Sequence, residues 1–272
     1  MKKTVILSSL LALSTLLLAD TSINSNISNL TINNPVGNTT VTHANISSPT
    51  ITTILYAQNK TGLFSSNQVI DTTNTFPLNS TLDGTSQTLS TTIPKNNYSE
   101  DLVITLPMNM KLNSLILESQ SGNINVVYPS TLGHTDLTTS SGNITITNAY
   151  ENSLITAHSD SGDIAYQGSG KLIQVTTNSG NITITSSLTN LLAQSDSGNI
   201  IYTCNTGSIK ALTHSGNIVV LSTPNSAFLQ TDSGNISYNR HEVASPYTLN
   251  VISQFKPLIT LVSHSGNIQC NP

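Results

Sequence analysis

The chain has 272 residues, only 8% of them charged, and a formal net charge of −4. Binding to nucleic-acid phosphates or anionic membranes requires clustered cations, whereas the nine lysines and arginines here are scattered through a sequence rich in Ser, Thr and Asn. The composition therefore argues against nucleic acid as a partner and against anionic membranes.

The first residues have the layout of a secretory signal peptide. Lys2 and Lys3 precede an uncharged apolar run, and Ala19 supplies the small residue that a signal peptidase requires. The apolar run is shorter than the roughly 20 residues of a membrane-spanning helix. We expect residues 1–19 to be removed from an exported protein of a Gram-negative-like bacterium. It would lie on the cell surface, in the medium or in the periplasm, without membrane insertion.

The N-terminal segment 20–100 is rich in Thr, Asn and Ser and shows no clean period. The sequence LTINNPVGNTTV within Asn29–Thr53 resembles one coil of a repeat. Gly62, Pro77, Gly84 and Pro94 interrupt the rest. We predict irregular first coils here, with either irregular coils or long loops over 54–100.

Residues 101–272 contain a repeated four-residue word, Ser-Gly-Asn-Ile, in which Asp163 once replaces the Asn. Successive glycines are 20 or 18 residues apart, except for a last interval of 32. A fixed period of this length is typical of solenoid proteins. The glycines of this corner motif are Gly122, Gly142, Gly162, Gly180, Gly198, Gly216, Gly234 and Gly266.

The residues on both sides of each glycine alternate with period two. Isoleucine always stands two residues after the glycine, and Leu, Val or Ala stands five residues before it. This pattern predicts two short strands per coil, each with one buried face. One coil cannot bury that face alone, so stacked coils must pair their strands in parallel. Ser or Thr, three residues before each glycine, also points inward by parity.

The last interval contains an insert near 239–256. In each coil, the positions three and five residues after the glycine should face outward. In two adjacent coils before the insert, three of these positions are apolar, and we take them as a candidate interaction patch: Ile201, Val219 and Leu221. An exposed apolar patch requires a cover or a partner. Either the insert folds back over the patch, or it is a loop in solvent. The residues that would form the cover are Val243, Tyr247, Leu249 and Val251.

The remaining chemistry points away from catalysis. Asp160, Asp196 and Asp232 share the position two residues before the glycine with Asn178, His214 and His264, so this position offers at most one carboxylate per coil, and the pair of Asp160 and Asp163 is the best case for a cation. Calcium requires six to eight oxygens, so we predict a solvated turn edge with no metal and no cofactor. Cys204 and Cys270 lie three to four coils apart, beyond the reach of a disulfide unless the tail folds back.

The stretch LVITLPMNMKLNSLILESQSGNINV, at residues 102–126, resembles the entry into the repeats of a large bacterial family catalogued as "putative adhesins" and formerly as a domain of unknown function. The resemblance covers Leu102–Asn271 and, more weakly, Asn29–Thr53. It implies an all-β, right-handed parallel β-helix. Asn stands here where the family usually has Asp.

We therefore predict a right-handed parallel β-solenoid of about ten coils, each of roughly 18–20 residues. The predicted function is non-enzymatic: an adhesin-like protein that contacts an unknown protein or glycan surface. A periplasmic envelope-associated structural protein is the alternative, and a carbohydrate-active β-helix enzyme is a more remote one. Unpaired strand edges also make a homo-oligomer possible, through the solenoid ends or a sheet face.

Overall fold

The computed structural model describes twelve stretches of the chain. They are residues 22–59, 66–71, 78–92, 98–127, 133–149, 153–186, 189–204, 207–221, 226–238, 249–253, 256–263 and 268–270. The predicted signal peptide, residues 1–19, lies outside them. Within these stretches every regular element is a β-strand and there is no helix, so none of them contains a helix able to cross a membrane.

The strands form two twelve-stranded sheets. Numbered in chain order, the strands of the first sheet are β1 (Asn29–Asn33), β5 (Leu78–Asp83), β6 (Ser86–Thr91), β8 (Ser114–Ser119), β10 (His134–Thr139), β12 (Leu154–Ser159), β14 (Leu172–Thr177), β16 (Thr189–Ser195), β18 (Gly207–Thr213), β20 (Ser226–Thr231), β22 (Leu249–Ser253) and β23 (Lys256–Ser263). Those of the second sheet are β2 (Thr39–Ala44), β3 (Thr50–Asn59), β4 (Ser66–Asp71), β7 (Tyr98–Pro107), β9 (Ile124–Val127), β11 (Ile144–Ala149), β13 (Ile164–Gly168), β15 (Ile182–Ser186), β17 (Ile200–Cys204), β19 (Ile218–Val220), β21 (Ile236–Tyr238) and β24 (Ile268–Cys270).

From β8 onward, apart from the additional strand β22, each coil contributes one strand to each sheet, and successive coils pair in parallel. The register places equivalent repeat positions side by side: Leu117 pairs with Leu137, and Ile144 pairs with Ile164. The predicted all-β solenoid of stacked parallel strands is thus confirmed. The shared register follows from the repeat, because a slip of one residue would turn every buried side chain outward.

The core lies between the two sheets. Strand β8 alternates buried and partly exposed residues, with Leu115 and Leu117 inside. Burying a leucine or isoleucine side chain contributes about 1.5–3 kcal/mol, so each coil adds a few such terms when it is stacked. The isoleucines two residues after the corner glycine all lie in this core: Ile124, Ile144, Ile164, Ile182, Ile200, Ile218 and Ile236.

At the N-terminal end, the order of coils in space differs from their order in the chain. Strand β1 lies between β6 and β8, and β2 lies between β7 and β9. The coil of residues 29–44, which the sequence LTINNPVGNTTV suggested, is therefore enclosed by coils that follow it in the chain.

The described residues within 54–100, where we expected irregular coils or long loops, form the strands β3 to β6 and the start of β7. Strand β3 pairs antiparallel with both β4 and β7, and β5 pairs antiparallel with β6. Five of the six residues of β5 are exposed, so this strand has no apolar alternation, and composition gave no sign of it. These antiparallel strands extend both sheets at one end of the stack.

At the other end, β22 pairs antiparallel with β23 at the edge of the first sheet. Leu249 and Val251 therefore extend the first sheet, whereas Ile201 and Val219 belong to the second. Their strand does not lie over the apolar patch, because backbone pairing holds it at the opposite sheet's edge. Val243 and Tyr247 lie outside the described residues.

The two cysteines lie on strands of the second sheet that are three positions apart. β21 and β19 separate β24, with Cys270, from β17, with Cys204. At about 4.8 Å per strand, their backbones are about 14 Å apart, which is too far for a disulfide.

Candidate functional site

The corners between the two sheets stack into a continuous column, here called the corner column. The inward Ser or Thr, three residues before each glycine, donates its hydroxyl to the carbonyl of the preceding coil's glycine. This occurs in six successive coils, at donor–acceptor distances of 2.9–3.2 Å, by Thr139, Ser159, Thr177, Ser195, Thr213 and Thr231. These buried hydroxyls therefore stabilise the stack and are not free to bind a ligand.

The glycines are required by close approach of the backbones. A Cβ atom on Gly180 would lie 2.0 Å from the carbonyl oxygen of Gly162, and one on Gly198 would lie 1.7 Å from that of Gly180. The corner glycines from Gly122 to Gly234 do not have positive φ. Glycine is thus required at these corners because a Cβ would collide with the neighbouring coil, and not because of the backbone conformation. Gly266 lies outside the described residues.

The asparagine after each glycine forms a second ladder on the outside of the corner. Its Oδ1 accepts the backbone N–H of the equivalent residue in the next coil. The acceptors are Asn38, Asn123, Asn143, Asp163, Asn181, Asn199 and Asn217. Asp163 performs the same role, accepting from the Asn181 N–H at 2.7 Å, so its carboxylate already has a structural partner.

The acidic residues two positions before the glycine lie on the exposed turn edge. Asp160 accepts from His158 at 3.1 Å and from Asn178 at 3.2 Å, and Asp232 lies 2.7 Å from Nδ1 of His214. In the part of the chain that the structure describes, no group of three or more His, Cys, Asp or Glu side chains could hold a metal ion. The edge holds isolated histidine–carboxylate pairs.

A groove of about 230 Å³ runs along this edge over three coils. One wall consists of the outward residues Gln194, Leu212 and Gln230 of the first sheet. The other consists of the turn residues two positions later in each coil, Asp196, His214 and Asp232. Ser195 and Thr213 lie between the walls. At the coil of β12, the His158–Asp160 contact joins the two equivalent positions.

The predicted interaction patch lies on adjacent strands of the second sheet, on the far side of the same corners. Ile201 of β17 is the register partner of Val219 of β19. Ile201 is 37% exposed and Leu221 is 43% exposed, while Val219 is partly exposed. The fold therefore brings the three side chains together on the outside of the solenoid.

The sequence analysis did not identify one buried titratable residue, Glu100. Glu100 of β7 is completely buried, and neither of its carboxyl oxygens has a hydrogen-bond partner. Burial raises its pKa to about 7. The register of β2 with β7 aligns Leu102 with Thr39, so Glu100 occupies the glycine position of the corner column and Asp101 the asparagine position. The sequence Ser-Glu-Asp-Leu at 99–102 was the available signal, but it lacks the glycine.

The Toastrack DUF4097 family model matches residues 27–271. The fold is also similar to the crystal structure of a Bacteroides fragilis protein described as a putative adhesin, with 17% sequence identity and a TM-score of 0.50. That alignment covers 87% of this chain and 92% of the other. No curated protein matches the chain. At this identity the structural likeness establishes the fold, and the family match extends over the N-terminal coils as well as the repeats.

Proposed function

Because this chain belongs to the Toastrack DUF4097 family and folds as a β-solenoid, we propose that it is an exported, non-enzymatic protein that binds another macromolecule through the outside of its stack. The observation that carries the proposal is the apolar patch of Ile201, Val219 and Leu221. Apolar residues on neighbouring strands of a solvated sheet face are typical of interaction sites. The same positions of the coil before, Thr183 and Thr185, are polar.

The polar residues of the corners favour a scaffold over a catalyst. A nucleophilic site needs a hydroxyl or thiol in hydrogen-bond contact with a base. The buried serines and threonines of the corner column donate to glycine carbonyls instead. The histidines of the turn edge contact carboxylates, in pairs whose members are partly or largely exposed. These groups support a rigid structural ladder.

Export rests on the signal-peptide pattern of residues 1–19, and an adhesin-like role agrees with the description of the Bacteroides fragilis protein. The patch adjoins the corners that also carry the groove with Asp196 and Asp232. An apolar centre beside polar, acidic groups resembles the core and rim of a protein–protein interface. A protein with an apolar surface is therefore the favoured partner, and a glycan is second.

The cellular location tests export and surface display together. Intact cells that produce a C-terminally tagged chain are treated with protease, and the periplasmic fraction is probed in parallel. Digestion on intact cells, or release into the medium, is the expected result. Full protection with recovery from the periplasm would replace the adhesin-like role with an envelope-associated structural one. Retention in the cytoplasm would contradict both.

The patch itself is tested by substitution to threonine, which neighbouring coils carry at equivalent positions. The variant Ile201→Thr/Val219→Thr is compared with Leu172→Thr, which changes a residue of the first sheet that is 43% exposed. Adhesion of producing cells to a protein-coated or glycan-coated surface should fall at least about tenfold for the patch variant, the equivalent of about 1.4 kcal/mol. Equal adhesion of both variants and the parent would exclude the patch as the binding surface.

A further inference from the structure

The groove on the turn edge is a short channel between two rows of side chains. In its first wall the partly exposed Leu212 lies between the amides of Gln194 and Gln230, because β18 pairs with β16 on one side and with β20 on the other. Adjacent strands are about 4.8 Å apart, so the Cα atoms of the three residues span about 10 Å along the stack. This wall offers an apolar surface between two amides, and each amide both donates and accepts hydrogen bonds.

The second wall offers hydrogen-bond acceptors. Nδ1 of His214 lies 2.7 Å from the Asp232 carboxylate. Because a carboxylate only accepts, the ring donates at Nδ1, and its Nε2 is an acceptor when the ring is neutral. The side chain of the exposed Asp196 accepts no hydrogen bond from the residues that the structure describes. A ligand in the groove therefore meets acceptors on this side and must supply donors.

The floor of the groove already has its hydrogen bonds. The hydroxyls of Ser195 and Thr213 donate to the carbonyls of Gly180 and Gly198 in the corner column. The floor is therefore held by the stack, and recognition of a ligand depends on the two walls.

The charges around the groove disfavour an anionic ligand. Asp196 and Asp232 both line it, and like charges repel. The neighbouring cation is Lys210, two residues before Leu212 in β18. Its Nζ lies over the ring of Phe228, 5.9 Å from the ring centroid, a distance typical of a cation–π contact. A ligand that fits the groove is thus neutral or cationic.

We propose that this groove binds a neutral, extended glycan that lies along the stack axis with one sugar per coil. Sugar hydroxyls both donate and accept, so they satisfy the acceptor wall and the amide wall together, and the apolar face of a sugar ring packs on Leu212. A cationic side chain supplies donors only and leaves the amide N–H groups of Gln194 and Gln230 unused. In an extended β-1,4-linked glycan each sugar advances by about the distance between two coils. Neighbouring sugars therefore meet equivalent positions of the repeat.

This arrangement predicts weak binding whose strength depends on the length of the glycan. Each hydrogen bond to the ligand replaces one to water, so its net contribution is small. We expect affinity to rise about fivefold with the second sugar and again with the third, which corresponds to one net hydrogen bond each. A fourth sugar extends past the three coils of the groove and should add nothing. The site does not depend on the role of the apolar patch, which lies on the other side of the corners.

Titration of the mature chain, residues 20–272, with glucose, cellobiose, cellotriose and cellotetraose tests the site. Amide chemical shifts of residues 212–214, followed by NMR, should move at millimolar ligand with the length dependence given above. Asp196→Ala and Gln230→Ala should each weaken cellotriose binding about fivefold. Gln174→Ala is the matched control, because Gln174 is an exposed residue of β14 that does not line the groove. It should bind cellotriose as the parent does.

Three results would overturn the proposal. The first is an absence of shift changes with every oligosaccharide at millimolar concentration. The second is cellotriose binding that Asp196→Ala and Gln230→Ala leave unchanged, which would place the glycan elsewhere. The third is binding of trilysine but not of cellotriose, which would assign the groove to a cationic peptide. The patch variant Ile201→Thr/Val219→Thr should bind cellotriose normally, so failure of the patch and failure of the groove are told apart.

Discussion

The interior of the corner column and its N-terminal end use the same backbone position in opposite ways. In the interior, as at Gly180, the position faces the carbonyl of the previous coil and admits only glycine. At the end it is Glu100, a long and ionisable residue, and it is fully buried. The difference shows that glycine in this repeat is selected by the neighbouring coil. The local turn alone does not require it, since the corner glycines from Gly122 to Gly234 have no positive φ.

The largest expected effect is in the interior. Gly180→Ala places a Cβ 2.0 Å from the Gly162 oxygen, and because that oxygen belongs to the backbone, whole coils must shift. We expect the free energy of unfolding to fall by about 4 kcal/mol or more, measured by urea denaturation of the mature chain. The control is Gly84→Ala in the turn between β5 and β6, which has open space and a φ of +58°. It should cost about 1 kcal/mol.

If the two alanine variants lost equal stability, steric contact between coils would not be the reason for glycine at the corner. The same urea titration therefore shows whether glycine is required by contact with the preceding coil or by the backbone conformation of the turn.

The inward Ser and Thr hydroxyls of the corner column allow a matched comparison between the regular coils and the N-terminal region, with a smaller expected change in stability. Ser195 donates to the Gly180 carbonyl at 3.0 Å, whereas the hydroxyl of Ser119, in the same column beside the enclosed N-terminal coil, has no partner. Ser195→Ala should lower the free energy of unfolding by about 1 kcal/mol through the lost hydrogen bond. Ser119→Ala should change it by less than about 0.5 kcal/mol. Equal losses in thermal or urea denaturation would show that the hydroxyl bonds do not stabilise the stack.

The regular part of the fold was predictable from sequence because each coil repeats the same inward positions. Isoleucine after the corner, Leu, Val or Ala before it, and a hydroxyl residue at the corner all lie inside, as their parity indicates. The same alternation placed Ile201 and Val219 on the outside.

The N-terminal region was not predictable for two physical reasons. The coil of residues 29–44 lies between strands β6–β7 and β8–β9, and no spacing in the sequence records which distant coil it stacks on. Glu100 was missed because its corner lacks the glycine by which the others were aligned, although Asp101 still accepts from Asn38 as the asparagines of the ladder do. At the end of the column no preceding carbonyl excludes a side chain, so the residue there is not glycine, and a search based on the repeated glycine does not find it.

The most direct test of this account places alanine at two positions of the corner column and compares their melting temperatures at pH 5. Gly122→Ala puts a Cβ 1.8 Å from the Gly37 carbonyl oxygen, at a position without positive φ, whereas Glu100→Ala removes a buried acid that no corner precedes among the described residues. We predict a large loss for Gly122→Ala and a shift of a few degrees at most for Glu100→Ala. Similar losses for both variants would contradict the claim that the preceding coil dictates glycine.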